Sequence, residues 1–448
     1  MTRSSASLPN QLTTPSIVDW TIGYCTNVHP GTDSESIVQN IQGISADVRR
    51  RHRTTQLRRG EETDASVTKR VANDSTPLGL GLWLPAEATT QVRRTSTEPI
   101  REALRRHQLL PFTINGFPYA NFHQDRVKHD VYRPTWWNDD RVAYTRDLAK
   151  ILTELMPDDV LLGSISTLPI GWPRQPVDDG TDEWIDASKE QLLHAGTNLR
   201  RIAEDLRMLE DRSGKRVVLA MEPEPGCVID TSAGLVEWFQ RELPEPTHRR
   251  YVGVCHDICH SAVMNESPSD VLRRYADADI LVGKLQVSSA VVADWQSIAP
   301  EEHAVALEQM AGFAEDRYLH QTGVIDSNGQ WSLSEDLSDL ISRLKHDGTP
   351  SLPLNDRRWT THFHVPIFVE TFDSLCTTQS AIRETIQAIV HLSQSGQAHS
   401  ALRFTGHVEV ETYAWSVLPE SMRRNGLAAD IARELDWLTT HLEQWAAD

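Results

Sequence analysis

The chain is short of positive charge for its size. Its 448 residues carry 44 Lys and Arg against 63 Asp and Glu, a formal net charge of −19. Proteins that grip a phosphate backbone need clustered Lys and Arg, so nucleic acid is not an expected partner. One basic cluster, Arg49 to Arg53 continuing to Arg58 and Arg59, reads as a solvated helix end and loop. No apolar run approaches 18 residues, so no transmembrane helix or membrane insertion is expected. Cysteine is scarce: Cys25, Cys227, Cys255, Cys259 and Cys376 are odd in number and scattered. The Cys255-x3-Cys259 spacing is not that of a zinc ribbon, so buried free thiols are expected. With no signal-type apolar stretch near residue 1, the expectation is a reduced, cytoplasmic protein. No internal repeat is evident.

What is present is a regular alternation. Residues 1–15 are rich in Ser, Thr and Pro and are expected to form a disordered tail. From residue 16 onward, apolar and β-branched runs at 18–25, 78–84, 110–115, 160–165, 217–221, 251–255, 280–287 and 404–411 suit strands buried on both faces. Amphipathic helical patterns lie between them, at 138–155, 182–210, 378–393 and 425–445, with Gly214 as a C-terminal signal for the second. Ser267-Pro-Ser-Asp270 has the signature of a helix start. Eight such alternations predict an α/β protein with a parallel sheet, most simply a single-domain (β/α)8 TIM barrel over 16–448. The spacing is uneven. Insertions are expected at about 50–75 and, at greater length between strands 7 and 8, at about 290–358.

Two stretches carry the most chemistry, Leu219-Ala-Met-Glu-Pro-Glu-Pro-Gly226 and Val252-Gly-Val-Cys-His-Asp-Ile-Cys-His260. Each is an apolar run that breaks into carboxylates and imidazoles. Ionised groups at the end of a buried strand must be paired, hydrogen-bonded or bound to a cation. A barrel gathers all its strand ends on one face, so the polar residues there converge. In order they are His29, Asn115, Ser164 and Ser166, then Glu222 and Glu224, then Asp257 and His260. Lys284 and Gln286 lie in the seventh strand, His362 and His364 in the inserted segment, and Glu409 and Glu411 in the eighth. Such a ring suits a divalent cation. Structural roles compete at each position: Asp257 as a helix cap, Lys284 as the partner of a Glu, the histidines as a packed pair. Of the aromatic residues near the strand ends, Tyr119 and Trp172 are the best candidates for the barrel mouth, because glycine or proline stands beside each.

The combination of a strand-end Glu, Asp-x-x-His, a lone polar strand residue, His-x-His and a last-strand Glu resembles the xylose-isomerase-like TIM barrels. That superfamily holds sugar isomerases and epimerases, inosose dehydratases and endonucleases of the endonuclease IV type. More closely, Gly23-Tyr-Cys-Thr-Asn-Val-His-Pro-Gly31, Phe112-Thr-Ile-Asn-Gly-Phe-Pro-Tyr119, Glu222-Pro-Glu-Pro-Gly226, Gly253–His260 and His407-Val-Glu-Val-Glu-Thr-Tyr413 resemble EboE-type proteins, barrels of a bacterial gene cluster linked to secondary-metabolite traffic. This likeness spans roughly residues 19–419.

The resemblance implies a metal held by Glu222 (or Glu224), Asp257 and Glu411 (or Glu409), with His260 meeting substrate or a further metal. His362 and His364 resemble the segment that completes the multi-metal site of the endonuclease branch. Where the superfamily has a ligand His in strand 7, this chain has Gln286, a poor zinc ligand; Mg²⁺ or Mn²⁺ is therefore favoured over Zn²⁺. On this pattern Glu222, Glu411, His260 and Lys284 form the catalytic set, and His29, Asn115, Glu224, Glu409, Tyr119 and Trp172 the substrate pocket. The expected activity is isomerisation or epimerisation of a small polyol- or sugar-like metabolite. The alternatives are a non-catalytic barrel that carries a metabolite and a phosphoesterase acting on a small phosphate ester. Partners encoded in the same gene cluster are a further implication.

Overall fold

The computed structural model describes residues 16, 19–62, 76–177, 183–346, 349–350, 355–394, 401–423 and 425–447. The expected tail at 1–15 and the second half of the polar excursion at 50–75, residues 63–75, lie outside them. The basic cluster lies on the helix Ala46–Glu62, where Arg50 and Arg51 pair with Asp47 at 2.5 and 3.1 Å.

Eight strands close into a barrel: β1 (Thr21–Cys25), β2 (Leu78–Trp83), β3 (Leu109–Asn115), β4 (Leu162–Thr167), β5 (Arg216–Met221), β6 (Val252–Asp257), β7 (Val282–Val287) and β8 (His407–Val410). Each pairs in parallel with its sequence neighbours, and β8 returns to β1. All six residues of β2, β5, β6 and β7 are buried, as strands covered by helices on one side and filled by side chains on the other must be. Gly81 has a specific role in β2, because a Cβ there would collide with the Glu409 carboxylate inside the barrel. The helix Lys189–Ser213 opens with a capping box of Ser188 and Gln191 and stops at Gly214, whose φ of 72° suits glycine.

Fully buried Arg141 stitches the turn after β3. It donates to the carbonyls of Pro134 (2.8 Å), Gly116 (2.8 Å) and Phe117 (3.1 Å), which fixes the segment that carries Asn115 and Phe117.

The excursion between β7 and β8 contains the helices His303–Ala311 and Leu337–Leu344, and it also folds a second sheet. Its six antiparallel strands run in the order Trp331–Ser334, Thr322–Ile325, Arg358–Thr361, Val291–Asp294, Leu375–Thr377, Thr371–Phe372. None exceeds four residues, and several are rich in Thr and Ser, so period-two alternation is too brief to read. A second apolar core joins this sheet to the barrel's end. In it Trp295, Phe313, Trp359 and Phe363 pack with Trp83, Phe122 and Tyr413. The inserted sheet thereby roofs the C-terminal face of the barrel.

Candidate metal centre at the barrel mouth

Beneath that roof lies a partly enclosed cleft. Glu222, Glu224, His260, His362, His364 and Glu411 form its floor with Asn27 and Asn115. Three strand ends supply the carboxylates. Glu222 directly follows β5, Asp257 ends β6, and Glu411 directly follows β8. Oxygens of all three lie within 4.8 Å of one another. Asp257 also caps the helix Ile258–Val263, one oxygen accepting from the His260 N–H (3.0 Å) and the Ser288 hydroxyl (2.8 Å). Its other oxygen is left for the centre.

Gln286 sits at the focus. Its Nε2 lies 3.1 Å from Glu222 Oε1, 3.3 Å from Asp257 Oδ2, and against Glu411 Oε2. An amide nitrogen has two hydrogens and so cannot satisfy three carboxylates. Glu222 Oε2 is buried with no partner. Burial, followed by the charges of Glu411 and Asp257, holds the Glu222 carboxyl well above the usual range. Burial, followed by Asp257 and Glu409, pushes Glu411 up to about 8, even though Asn27 and Asn115 donate to its Oε1 at 2.6 and 3.0 Å. This seat therefore has too many carboxylates for its donors, and a divalent cation fits it. Turning the Gln286 amide over would present its oxygen as a ligand suited to a hard cation.

The imidazoles make a second argument for a cation. His260 Nδ1 lies 3.0 Å from the Pro223 carbonyl and His364 Nδ1 lies 2.9 Å from the Glu411 carbonyl. A carbonyl only accepts, so both Nδ1 atoms carry a proton. His362 Nδ1 meets Gln321 Oε1 at 2.8 Å. The Gln321 amide is oriented by the Pro225 carbonyl, which accepts from Nε2 at 3.1 Å, so its oxygen faces His362 and that Nδ1 is also protonated. Burial, then His260 and His364, lowers His362 well below the usual imidazole range, and burial takes His364 down to about 4. His362 Nε2 is therefore a lone pair, and it faces His260 Nε2 at 3.1 Å. A cation among these nitrogens would satisfy them. His364 Nε2, buried without a partner, points to the same need. The nitrogens of His260 and His362 group with Glu224, and those of His260 and His364 with Asp257, each set within 4.8 Å.

Several residues expected in the site lie elsewhere. Lys284 and Glu409 form a fully buried ion pair below the floor, and neither lines the cleft. Each precedes its site residue, Gln286 or Glu411, by two positions and so points inward one layer deeper. Although burial opposes the Lys284 charge, the Glu409 carboxylate beside it raises the ammonium's pKa, and Ser166 Oγ lies 3.2 Å away. His29 is turned out of the barrel mouth by the 3-10 turn Thr26–Val28 into a separate small pocket with Ile41, Ser45 and Trp83. Tyr119 packs edge-on against Tyr144 at 4.9 Å, with Arg141 alongside. Trp172 stacks on Tyr132 at 5.0 Å, behind the cleft wall. Conversely, Asn27, Tyr132, Ser288 and Gln321 take part in the site and were not singled out from sequence. Asn27 lies within the same strand-end motif as His29, so position relative to β1 was a usable signal; Gln321 had none.

Neither a scan against protein-family profiles nor a search of curated proteins finds a match. Among solved structures, the chain is similar to a xylose isomerase-like TIM barrel protein from Mycobacterium smegmatis in complex with magnesium, at 10% identity and a TM-score of 0.47, over 97% of this chain and 100% of that one. It is also similar to a xylose isomerase domain protein from Alicyclobacillus acidocaldarius, at 12% identity and 0.41, over 96% and 100%. A third is the IOLI protein with a bound zinc atom, at 10% identity and 0.41, over 94% and 97%. The (β/α)8 architecture stands on the closed strand order itself. No helix among the described residues is long and apolar enough to cross a membrane.

Proposed function

We propose that this barrel is a divalent-cation-dependent enzyme that moves a proton between oxygen-bearing carbons of a small metabolite, as an isomerase or epimerase does. The observation that carries it is the crowd of Glu222, Asp257, Glu411 and three imidazoles gathered at the floor of one cleft, with too few donors for the carboxylates. A bound cation would hold vicinal oxygens of the substrate and stabilise negative charge developing there. Glu222, Asp257, Glu411 and Gln286 would hold a hard cation such as Mg²⁺ or Mn²⁺, and His260, His362 and His364 suit Mn²⁺ or Zn²⁺. Glu222, with its unpartnered Oε2, is the group placed to take and return a proton at the substrate carbon. Glu411 is steadied by Asn27 and Asn115 and orients the opposite side. The roof excludes water from the floor.

Metal analysis of the purified protein and of Glu222→Gln tests this. At least one divalent cation per chain is expected in the parent protein, with both cation and deuterium exchange into α-hydroxyketones lost in the variant. Full metal content in Glu222→Gln overturns the assignment.

The imidazole group favours one second reading, hydrolysis of a small phosphate ester, which turnover of generic esters with Zn²⁺ or Mn²⁺ would support. The EboE-type likeness suggests a third, a metabolite carrier working with partners from the same gene cluster. Stoichiometric ligand binding without metal or turnover would favour it.

A further inference from the structure

The cleft has two chemically distinct halves. Above the charged floor, its wall is built from Phe117, Phe122, Val127, Val131, Leu319 and Tyr413. The hydroxyl protons of the two other tyrosines of the wall are already committed to hydrogen bonds. Tyr132 donates to Glu224 at 2.8 Å and accepts from Gln321 at 2.9 Å, while Tyr318 donates to the Phe122 carbonyl at 3.1 Å. Lys128, at the rim, is held by Asp336 at 2.6 Å. A polyol bears a hydroxyl on nearly every carbon. Those directed at the floor would find partners, but those alongside Phe117, Phe122, Val127 and Leu319 would lose water and gain nothing in return. A ring stacked on one aromatic face does not escape this, because its hydroxyl edge still meets aliphatic side chains.

We propose that the substrate is amphipathic, with a hydroxycarbonyl or diol head on the carboxylate–imidazole floor and an apolar, ring-sized body against the aromatic wall. This rests on the proposed cation-dependent function for the head alone; the body is argued from the wall.

Two ligands with the same head test it: 2-hydroxyacetophenone, which carries a phenyl ring, and dihydroxyacetone, which carries a hydroxymethyl group. Both are titrated into Mn²⁺-loaded full-length protein by calorimetry or ligand-observed NMR. The aryl ketone should bind at least about tenfold more tightly, the gain expected from burying one ring. Phe122→Ala should reduce the preference to about threefold or less and leave dihydroxyacetone unchanged. Val131→Asn, at a half-buried position of the 3-10 helix Lys128–Tyr132, serves the same purpose should Phe122→Ala fail to fold. Equal or tighter binding of dihydroxyacetone overturns the proposal, as does a preference that survives both variants. A preference that persists after chelation supports the wall and counts against the cation-directed head, so the two failures are separable.

Discussion

Replacing Gln321 by Leu tests the tautomer argument, and it also removes the amide's donors to Tyr132, Glu224 and the Pro225 carbonyl. Gln321 belongs to the inserted segment and is fully buried, and Leu matches its volume without a hydrogen-bonding group. In the parent protein, Gln321 Oε1 receives the His362 Nδ1 proton at 2.8 Å, which leaves Nε2 bare for a cation. Without that acceptor the ring is free to carry its proton on Nε2, pointed at His260. Loss of one such outer hydrogen bond costs about 10–100-fold in metal affinity, or about 1.4–2.7 kcal/mol. The loss should fall on Zn²⁺, which favours the imidazoles, while Mg²⁺ at the carboxylates and Gln286 changes by less than about threefold. Competition titrations against a chromophoric chelator measure both affinities, with circular dichroism and thermal melting to show that the variant is folded. A folded variant with unchanged Zn²⁺ affinity refutes the tautomer argument. Equal losses for Zn²⁺ and Mg²⁺ refute the division into two seats.

Two predictions concern pH. Because burial pushes Glu411 up to about 8 in the cation-free protein and Glu222 is raised as well, metal must displace protons, so affinity should rise by about tenfold or more per pH unit below pH 8. Calorimetry at pH 7 in buffers of different ionisation enthalpy should show proton release on metal binding. Glu434, on the closing helix, accepts from Thr412 (2.6 Å) and the Ile367 N–H (3.1 Å), and burial raises it to about 7. A raised carboxyl favours the fold while protonated, so its contribution is complete below about pH 4.5 and lost as pH rises through 7, a change of up to about 3 kcal/mol. Glu434→Gln lacks this dependence. Denaturant melts should therefore show its stability relative to the parent protein improving from pH 5 to pH 8; a constant difference would contradict the sign.

Residues at strand ends were legible because an apolar run has few reasons to break into carboxylates. Glu222, Asp257 and His260 were found this way, and the barrel followed from eight such runs. Depth along a strand was not legible. Alternation says that Lys284 and Gln286 share the barrel interior, as Glu409 and Glu411 do, but not which layer meets the cleft. His29 failed for a related reason: a three-residue 3-10 turn, too short to leave a pattern, rotates Asn27 into the site and His29 out of it. The inserted sheet escaped notice because its strands are short and polar, and Gln321 went with it. Proline and glycine beside Tyr119 and Trp172 marked turns correctly in kind, yet these rings pack against neighbouring aromatics instead of lining the cleft.

The two interior layers explain why a cation belongs in one and not the other. In the lower layer, Glu409 meets Lys284 directly, one carboxylate against one ammonium, with Gly81 giving the room and Ser166 completing the ammonium's contacts. That layer is neutral as it stands. Two residues further along the same strands, Glu411 meets Gln286, a neutral amide, and Glu222 and Asp257 crowd the same point. The available imidazoles have their Nδ1 protons committed to oxygens that face away. Exchanging lysine for an amide between adjacent layers is what turns a self-compensated core into a site with unmet negative charge. The strand-7 position that departs from the expected histidine is thus consistent with a working centre, provided the missing positive charge arrives as an ion.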